Sequence, residues 1–214
     1  MTDTTDWTAY YSTPYKTAGV TRKITGAVLT RTIKKHLGSR ISPEIIELGG
    51  ANSAFAEQII REIQPVNYLI VDNNPAGLEK TRQMIGRAEG GLEVAEQDIL
   101  NLDIRRQADL VLSIGLIEHF DPAGTRAAVK AHFNLVKPGG LVIMTFPTPT
   151  FLYRMVRYFS EKLGMWIFHD ERPLMADEVM GTTREYGKTL EYMVLWPIIL
   201  TQGLIAVRKG SPSP

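Results

Sequence analysis

Four acids and one histidine stand where chemistry is possible. Glu118-His119 directly follows an apolar run at residues 110–114 that ends in the small residues Ser113 and Gly115. An imidazole titrates near neutrality, so His119 can take a proton from a hydroxyl at physiological pH; Glu118 can orient that ring or meet a ligand. Glu47 lies at the end of a second apolar run, just before Gly49-Gly50, where backbone can approach a ligand closely. A bound pyrophosphate would be repelled by this acid, and a positively charged ligand would tolerate it. Asp72 ends a third run and follows Gly49 by close to the ~20 residues at which a strand-end acid bonds ribose hydroxyls. A carboxylate suits a diol because it accepts two hydrogen bonds at once. Asp98 follows a weaker fourth run at residues 92–95.

Positioning these groups requires strands that end together. Residues 43–48 are long enough for a buried strand and too short for a helix. A glycine turn and a helix over 54–63 follow, with Asn52 or Ser53 available as its cap. The same alternation continues: strand 67–71 before Asp72-Asn73-Asn74-Pro75, helix 75–87, strand 92–95, strand 110–114, helix 122–135, the turn Lys137-Pro138-Gly139-Gly140 and strand 141–146. Helix 20–37 precedes the first strand, with Gly38 as its C-cap. Two last strands, 188–196 and 200–208, flank Pro197. This predicts an α/β, doubly wound, mostly parallel seven-stranded sheet that binds ligands beyond its strands' carboxyl ends.

Glu47-Leu48-Gly49-Gly50-Ala51-Asn52-Ser53 resembles the first motif of the class I methyltransferases that use S-adenosylmethionine, acid-x-Gly-x-Gly-x-Gly, with Ala51 and Ser53 at the later glycines. Ser113-Ile114-Gly115-Leu116-Ile117-Glu118-His119 resembles the S-x-G-x-x-E-H segment of their small-molecule, type 11-like branch. Lys137-Pro138-Gly139-Gly140 is similar to their turn into the fifth strand. The resemblance covers residues 43–146 and, loosely, the final strands. It implies a Rossmann-like fold with an antiparallel last strand and S-adenosylmethionine as cofactor. Glu47, Gly49, Gly50, Ala51 and Asn52 would hold the methionine moiety, Asp72 and Asn73 the ribose, and Asp98 with Ile99 the adenine. Ser113, Ile114 and Gly115 would line the sulfonium end, and Tyr11, with Tyr15 and Arg22, would contact the cofactor from a lid. His119 would be the general base in methylation of an oxygen or nitrogen on a small molecule: a sugar, a phenolic or polyketide-like compound, or a lipid-linked one.

The expected arrangement is one methyltransferase domain over 1–210: an N-terminal lid and helix (1–40), a cofactor core (43–146), a helical substrate-cover insert (147–186), a final strand pair (187–210), and a disordered tail at 211–214. In the insert, residues 151–163 read as an amphipathic helix with Phe151, Leu152, Met155, Val156, Phe159 and Leu163 on its apolar side, and 176–185 as a short helix. A basic amphipathic helix can also lie on a membrane surface, so peripheral contact is compatible; the apolar runs are too short to span one.

Composition excludes several classes. The 214 residues, 44% hydrophobic, suffice for one sizeable core, and 24 basic against 23 acidic residues leave a net charge of +1. A nucleic-acid surface is not indicated, nor is an Asn-Pro-Pro-Tyr-type motif present. With no cysteine there is neither a disulfide framework nor a thiolate metal site, which fits a cytoplasmic protein. No metal is assigned, although His119 with Asp121, or His169 with Asp170 and Glu171, could ligate a divalent ion. The alternatives are an NAD(P)-dependent oxidoreductase on a similar sheet and a non-catalytic nucleoside-binding module. The loop's departure from G-x-G-x-x-G weighs against the first.

Overall fold

The computed structural model describes residues 5–12, 18–38, 42–85, 91–195 and 201–211. Strands β1 (Glu44–Leu48), β2 (Asn67–Asp72), β3 (Leu92–Glu96), β4 (Ala108–Ile114), β5 (Val136–Pro147), β6 (Gly187–Val194) and β7 (Gln202–Lys209) form one sheet in the order β3-β2-β1-β4-β5-β7-β6. β1 to β5 are parallel, and β7 is inserted antiparallel to both β5 and β6. This is the predicted architecture. The chain moves outward from β1 to β3, then returns to place β4 on the other side of β1. Connections therefore leave β1 and β4 in opposite directions, which opens a crevice at their carboxyl ends.

Side-chain alternation builds a core on each face of the sheet. Ile45, Ile70, Leu112 and Ile143 pack under α2 (Ala18–Leu37), α3 (Ala56–Ile63) and α4 (Pro75–Ile85) through Leu29, Ile33, Ile59 and Leu78. Ile46, Val71, Val111 and Val142 pack under α5 (Pro122–Leu135) and α7 (Ala176–Thr183) through Val129, Phe133 and Val179. Burial on both faces explains why the central strands read as almost unbroken apolar runs. α5 begins sharply because the Asp121 side chain accepts from the Gly124 amide at 2.7 Å and Pro122 needs no amide partner there.

Three local expectations change. α3 starts at Ala56, two residues later than predicted, because the Ser53 hydroxyl is drawn to Glu47 and α3 has no side-chain cap. The glycine turn at 137–140 lies inside β5, where the register with β4 shifts between Ala108 and Leu110. In α6 (Phe151–Lys162) the buried residue is Tyr153, while Phe151 is 83% exposed, Phe159 57% and Leu163, just beyond the helix, 69%. Tyr153 reaches inward to Glu171, which turns the apolar stripe toward solvent. Short α1 (Trp7–Ser12) precedes α2, and no helix among the described residues is long and apolar enough to cross a membrane. Tyr15, Arg87, Trp196, Leu200 and the tail beyond residue 211 lie outside the described residues, as does the Tyr11 side chain.

Candidate active site

The glycine loop after β1 is held from inside. Gly49 adopts φ +70°, and a Cβ there would sit 2.7 Å from the Leu116 side chain, so glycine is required by both conformation and space. A Cβ on Gly50 would meet the Glu47 carboxyl carbon at 2.7 Å. Asn52 is also left-handed at φ 54°, a conformation asparagine tolerates. The Ala51 amide donates to Asp72 Oδ2 at 3.1 Å and the Asn52 amide to Thr81 Oγ1 at 2.9 Å. The loop is thus stitched to β2 and α4 rather than to its own helix.

Glu47 lies beneath this loop, 3% exposed. Its Oε1 accepts from Ser53 Oγ at 2.9 Å, and its Oε2 accepts from the Tyr68 hydroxyl. Burial pushes its pKa up to about 7 against those two bonds, and the nearby Asp72 charge pushes it further the same way. Both oxygens are engaged by the protein, so the geometry gives Glu47 the task of fixing the loop. Tyr68 was not singled out from sequence, and Ser53, read there as a helix cap and as a motif position, turns out to serve the buried acid instead.

Asp72 faces the opening. Oδ2 takes the Ala51 amide and Oδ1 takes the Asn74 amide at 2.8 Å, which leaves each oxygen another lone pair for a ligand hydroxyl. Burial raises its pKa, and the backbone bonds from Ala51, Asn74 and Asn73 oppose that rise. The helix-capping task belongs to Asn74, whose Oδ1 accepts from the Gly77 amide at 2.8 Å; Asn73 is exposed. The Gln97 amide donates to the Asp72 carbonyl at 3.0 Å and carries Asp98 to the adjacent strand end. Asp98 is exposed and accepts from Leu100 N at 2.9 Å, while Ile99 is buried in the core.

At the end of β4, Ser113 is fully buried and its Oγ has no hydrogen-bond partner. Ile114 is half-buried, and Gly115 turns at φ +66° with its amide donating to Thr145 O at 3.0 Å. A Cβ on Gly115 would lie 3.2 Å from Glu118 Oε1, so this carboxylate leans over the turn. Glu118 and His119 share a single 3-10 turn, Ile117–His119. Glu118 is 2% exposed, and its Oε2 is buried without a partner. Burial drives its pKa well up, as do the charges of Glu171 and Asp170.

The orienting group of His119 differs from the expected one. Asp170 Oδ1 lies 3.0 Å from Nδ1, whereas Glu118 Oε1 is 3.9 Å from Nε2. Asp170 as acceptor makes Nδ1 the protonated nitrogen and leaves the Nε2 lone pair facing Glu118. Burial lowers the His119 pKa, and the Asp170 bond opposes this. Of the two histidine–acid groupings considered from sequence, neither forms. Asp121 caps α5, and Asp170 serves His119 rather than His169. Glu171 joins Glu118 and His119, its Oε1 accepting from the Tyr153 hydroxyl and standing 3.7 Å from an Arg157 nitrogen.

A roof crosses this end of the sheet. Trp7 packs edge-on to His119 at 4.8 Å, Tyr10 stands 5.4 Å from Phe168, and Thr5 bonds Asp170. The Asn74 amide group donates to Thr8 Oγ1 at 3.1 Å, so α1 bridges the Asp72 strand end and the 166–171 stretch. Arg22 reaches Tyr10 Oη at 3.5 Å. Two surface hollows, of about 250 and 380 Å³, lie beside α2–α3 and near Tyr68–Leu92, away from these groups.

The strand ends fit a sulfonium nucleoside on three observations: left-handed glycines on both sides of the crevice, a second strand ending in a carboxylate with spare lone pairs, and a buried hydroxyl on β4 left without a partner. Residues 45–140 match the family model of a methyltransferase domain. A solved S-adenosylmethionine-dependent methyltransferase from Clostridium acetobutylicum superposes with a TM-score of 0.73 at 15% identity, over 95% of this chain and 98% of that one. Residues 45–140 thus resemble a methyltransferase domain, and the chain shares its fold with that S-adenosylmethionine-dependent enzyme. The chain is also 30% identical over 100 residues to carboxy-S-adenosyl-L-methionine synthase of Photorhabdus laumondii, covering 46% of this chain and 38% of that protein. It is 28% identical over 126 residues to the chloroplastic 2-methyl-6-phytyl-1,4-hydroquinone methyltransferase 2 of Oryza sativa, covering 58% and 33%. The matches therefore span well under half the length of these two relatives.

Proposed function

We propose that the chain moves a methyl group from S-adenosylmethionine to an oxygen of a small, planar, hydroxylated acceptor. The observation that carries this reading is the meeting of Glu118, His119 and Glu171 beside the Gly115 turn, under an aromatic roof of Trp7, Tyr10 and Phe168. An oxygen acceptor must shed a proton as its lone pair forms the new O–CH3 bond. A cluster of two carboxylates and an imidazole at the methyl end can handle that proton.

S-adenosylmethionine supplies an activated methyl on a sulfonium; the chain's own residues bind, align and exclude water. Asp72 accepts the ribose hydroxyls, Asp98 receives the adenine amino group above Ile99, and the Gly49–Asn52 backbone accommodates the methionine end. Glu47 keeps that backbone in place through Ser53. Ser113 and Gly115 leave room for the sulfonium. α1 and the 147–186 insert form the cover, and Asp170 holds His119 toward the acceptor.

Calorimetry with S-adenosylhomocysteine tests the cofactor end. Wild type binds, and Asp72→Ala weakens binding by roughly 10- to 100-fold, the loss expected from about 1.5–3 kcal/mol of hydrogen bonding to a charged group. Unchanged affinity removes the ribose assignment. The match to a carboxy-S-adenosyl-L-methionine synthase favours a second reading, in which the nucleoside itself is modified. Mass analysis of products decides: a methylated phenol or hydroquinone supports the first, a heavier nucleoside the second.

A further inference from the structure

We infer that Glu118, His119 and Glu171 form a binding site for a divalent transition-metal ion at the acceptor end of the crevice. The inference rests on the oxygen-acceptor reading above and states how that end works. One oxygen of each carboxylate and one ring nitrogen of His119 lie within 4.8 Å of one another. Two atoms each ~2.2 Å from one ion stand at most ~4.4 Å apart, so side-chain shifts of a few tenths of an ångström complete the set.

An independent observation points to a ligand. Glu118 is almost wholly buried, yet its Oε2 has no hydrogen-bond partner, and among the described residues no lysine or arginine pairs with it. A buried carboxylate left this way is expensive unless it holds a proton or a cation is supplied, and a metal ion at this cluster would supply one. Glu171 is better served, by Tyr153 and by Arg157 at 3.7 Å, but the Arg157 guanidinium is engaged by Glu161 at 2.7 Å and by the Glu171 carbonyl at 2.9 Å. The Asp170–His119 bond is the outer partner that metal-binding imidazoles carry: it protonates Nδ1 and turns the lone pair of Nε2 toward the two acids.

Two carboxylates and an imidazole are a mixed oxygen–nitrogen set, suited to Mn(II), Fe(II) or Zn(II) more than to the all-oxygen preference of Mg(II) or Ca(II). An acceptor hydroxyl bound at the ion would lose its proton more readily, so the same cluster would ease proton loss through the ion it holds. The ligands come from the turn after β4 and from the 163–175 stretch, so the ion would also fasten the cover to the sheet.

The test is a titration of the metal-stripped full chain with Mn(II), reading free Mn(II) by electron paramagnetic resonance. The expected result is one ion per chain, with Glu118→Gln and Glu171→Gln each weakening binding at least tenfold. Asp170→Asn, which keeps every ligand, weakens it by roughly 10- to 100-fold. S-adenosylhomocysteine calorimetry on the same samples shows that each variant is folded. Wild type that binds the nucleoside but no Mn(II), or variants that bind Mn(II) as wild type does, overturns the metal site and leaves the methyltransferase reading intact. Mn(II) uptake without nucleoside binding sustains the site and removes that reading.

Discussion

Glu47 and Glu118 are both buried carboxylates at the carboxyl ends of neighbouring strands, on either side of the same crevice, and they do opposite work. Glu47 has both oxygens bonded by Ser53 and Tyr68 and has closed in on its own loop. Glu118 leaves one oxygen without a partner and leans over the Gly115 turn toward His119. Burial raises the pKa of both, so burial alone does not tell a structural acid from a functional one. What separates them is whether the protein supplies the carboxylate's partners itself. A satisfied acid organises its surroundings; an unsatisfied one waits for something to bind.

The comparison predicts its largest effect on turnover. Glu118→Gln should lower kcat by roughly 10²–10³-fold, the range found when one positioned polar group is removed from an active site. Glu47→Gln should lower it no more than about tenfold, with circular dichroism unchanged in both. Equal losses would show that the two acids share one role.

Stability against pH separates them next. Folded Glu47 keeps its proton up to about pH 7, against an ordinary 4.5 when unfolded, so its stabilising contribution is complete below 4.5 and is lost as pH rises through 7. His132, fully buried in α5 with Nδ1 bonded to Ala128 O at 2.7 Å, has the reverse dependence. Its pKa falls from 6.5 to about 4, so its contribution is present above 6.5 and is lost as pH drops through 4. Each limb is worth on the order of 3 kcal/mol. The two slopes nearly cancel between pH 4.5 and 6.5, so removing one should unmask the other: Glu47→Gln should make stability rise more steeply with pH across that interval than in wild type. An unchanged pH profile in Glu47→Gln would show that Glu47 is not the group responsible.

The smallest effects come from the glycines facing each acid. Gly50→Ala pushes a methyl group against the fixed Glu47 carboxyl and should cost about 1–3 kcal/mol of stability, read by urea denaturation. Gly115→Ala meets Glu118 Oε1 at 3.2 Å and takes on left-handed strain of about 1–2 kcal/mol. There the loss should show in activity beyond what stability accounts for. A purely thermodynamic loss at Gly115 would weaken the claim that Glu118 is the open acid.

Much of this was legible before any fold was known. The chain itself determined the alternation of strands and helices, the glycine turn at Gly49-Gly50 and the acids at or just beyond the ends of β1, β2 and β4, because each depends on residues within a few positions of one another. The tertiary structure decided who answers whom. His119 is held by Asp170, 51 residues away, and Glu47 is satisfied partly by Tyr68 on the neighbouring strand. The α6 stripe faces out because Tyr153, between its apolar positions, reaches in to Glu171. Local propensity fixes where a side chain sits along its own element. Only packing of distant segments fixes which partner it finds, and for a buried charge that partner, or its absence, decides the function.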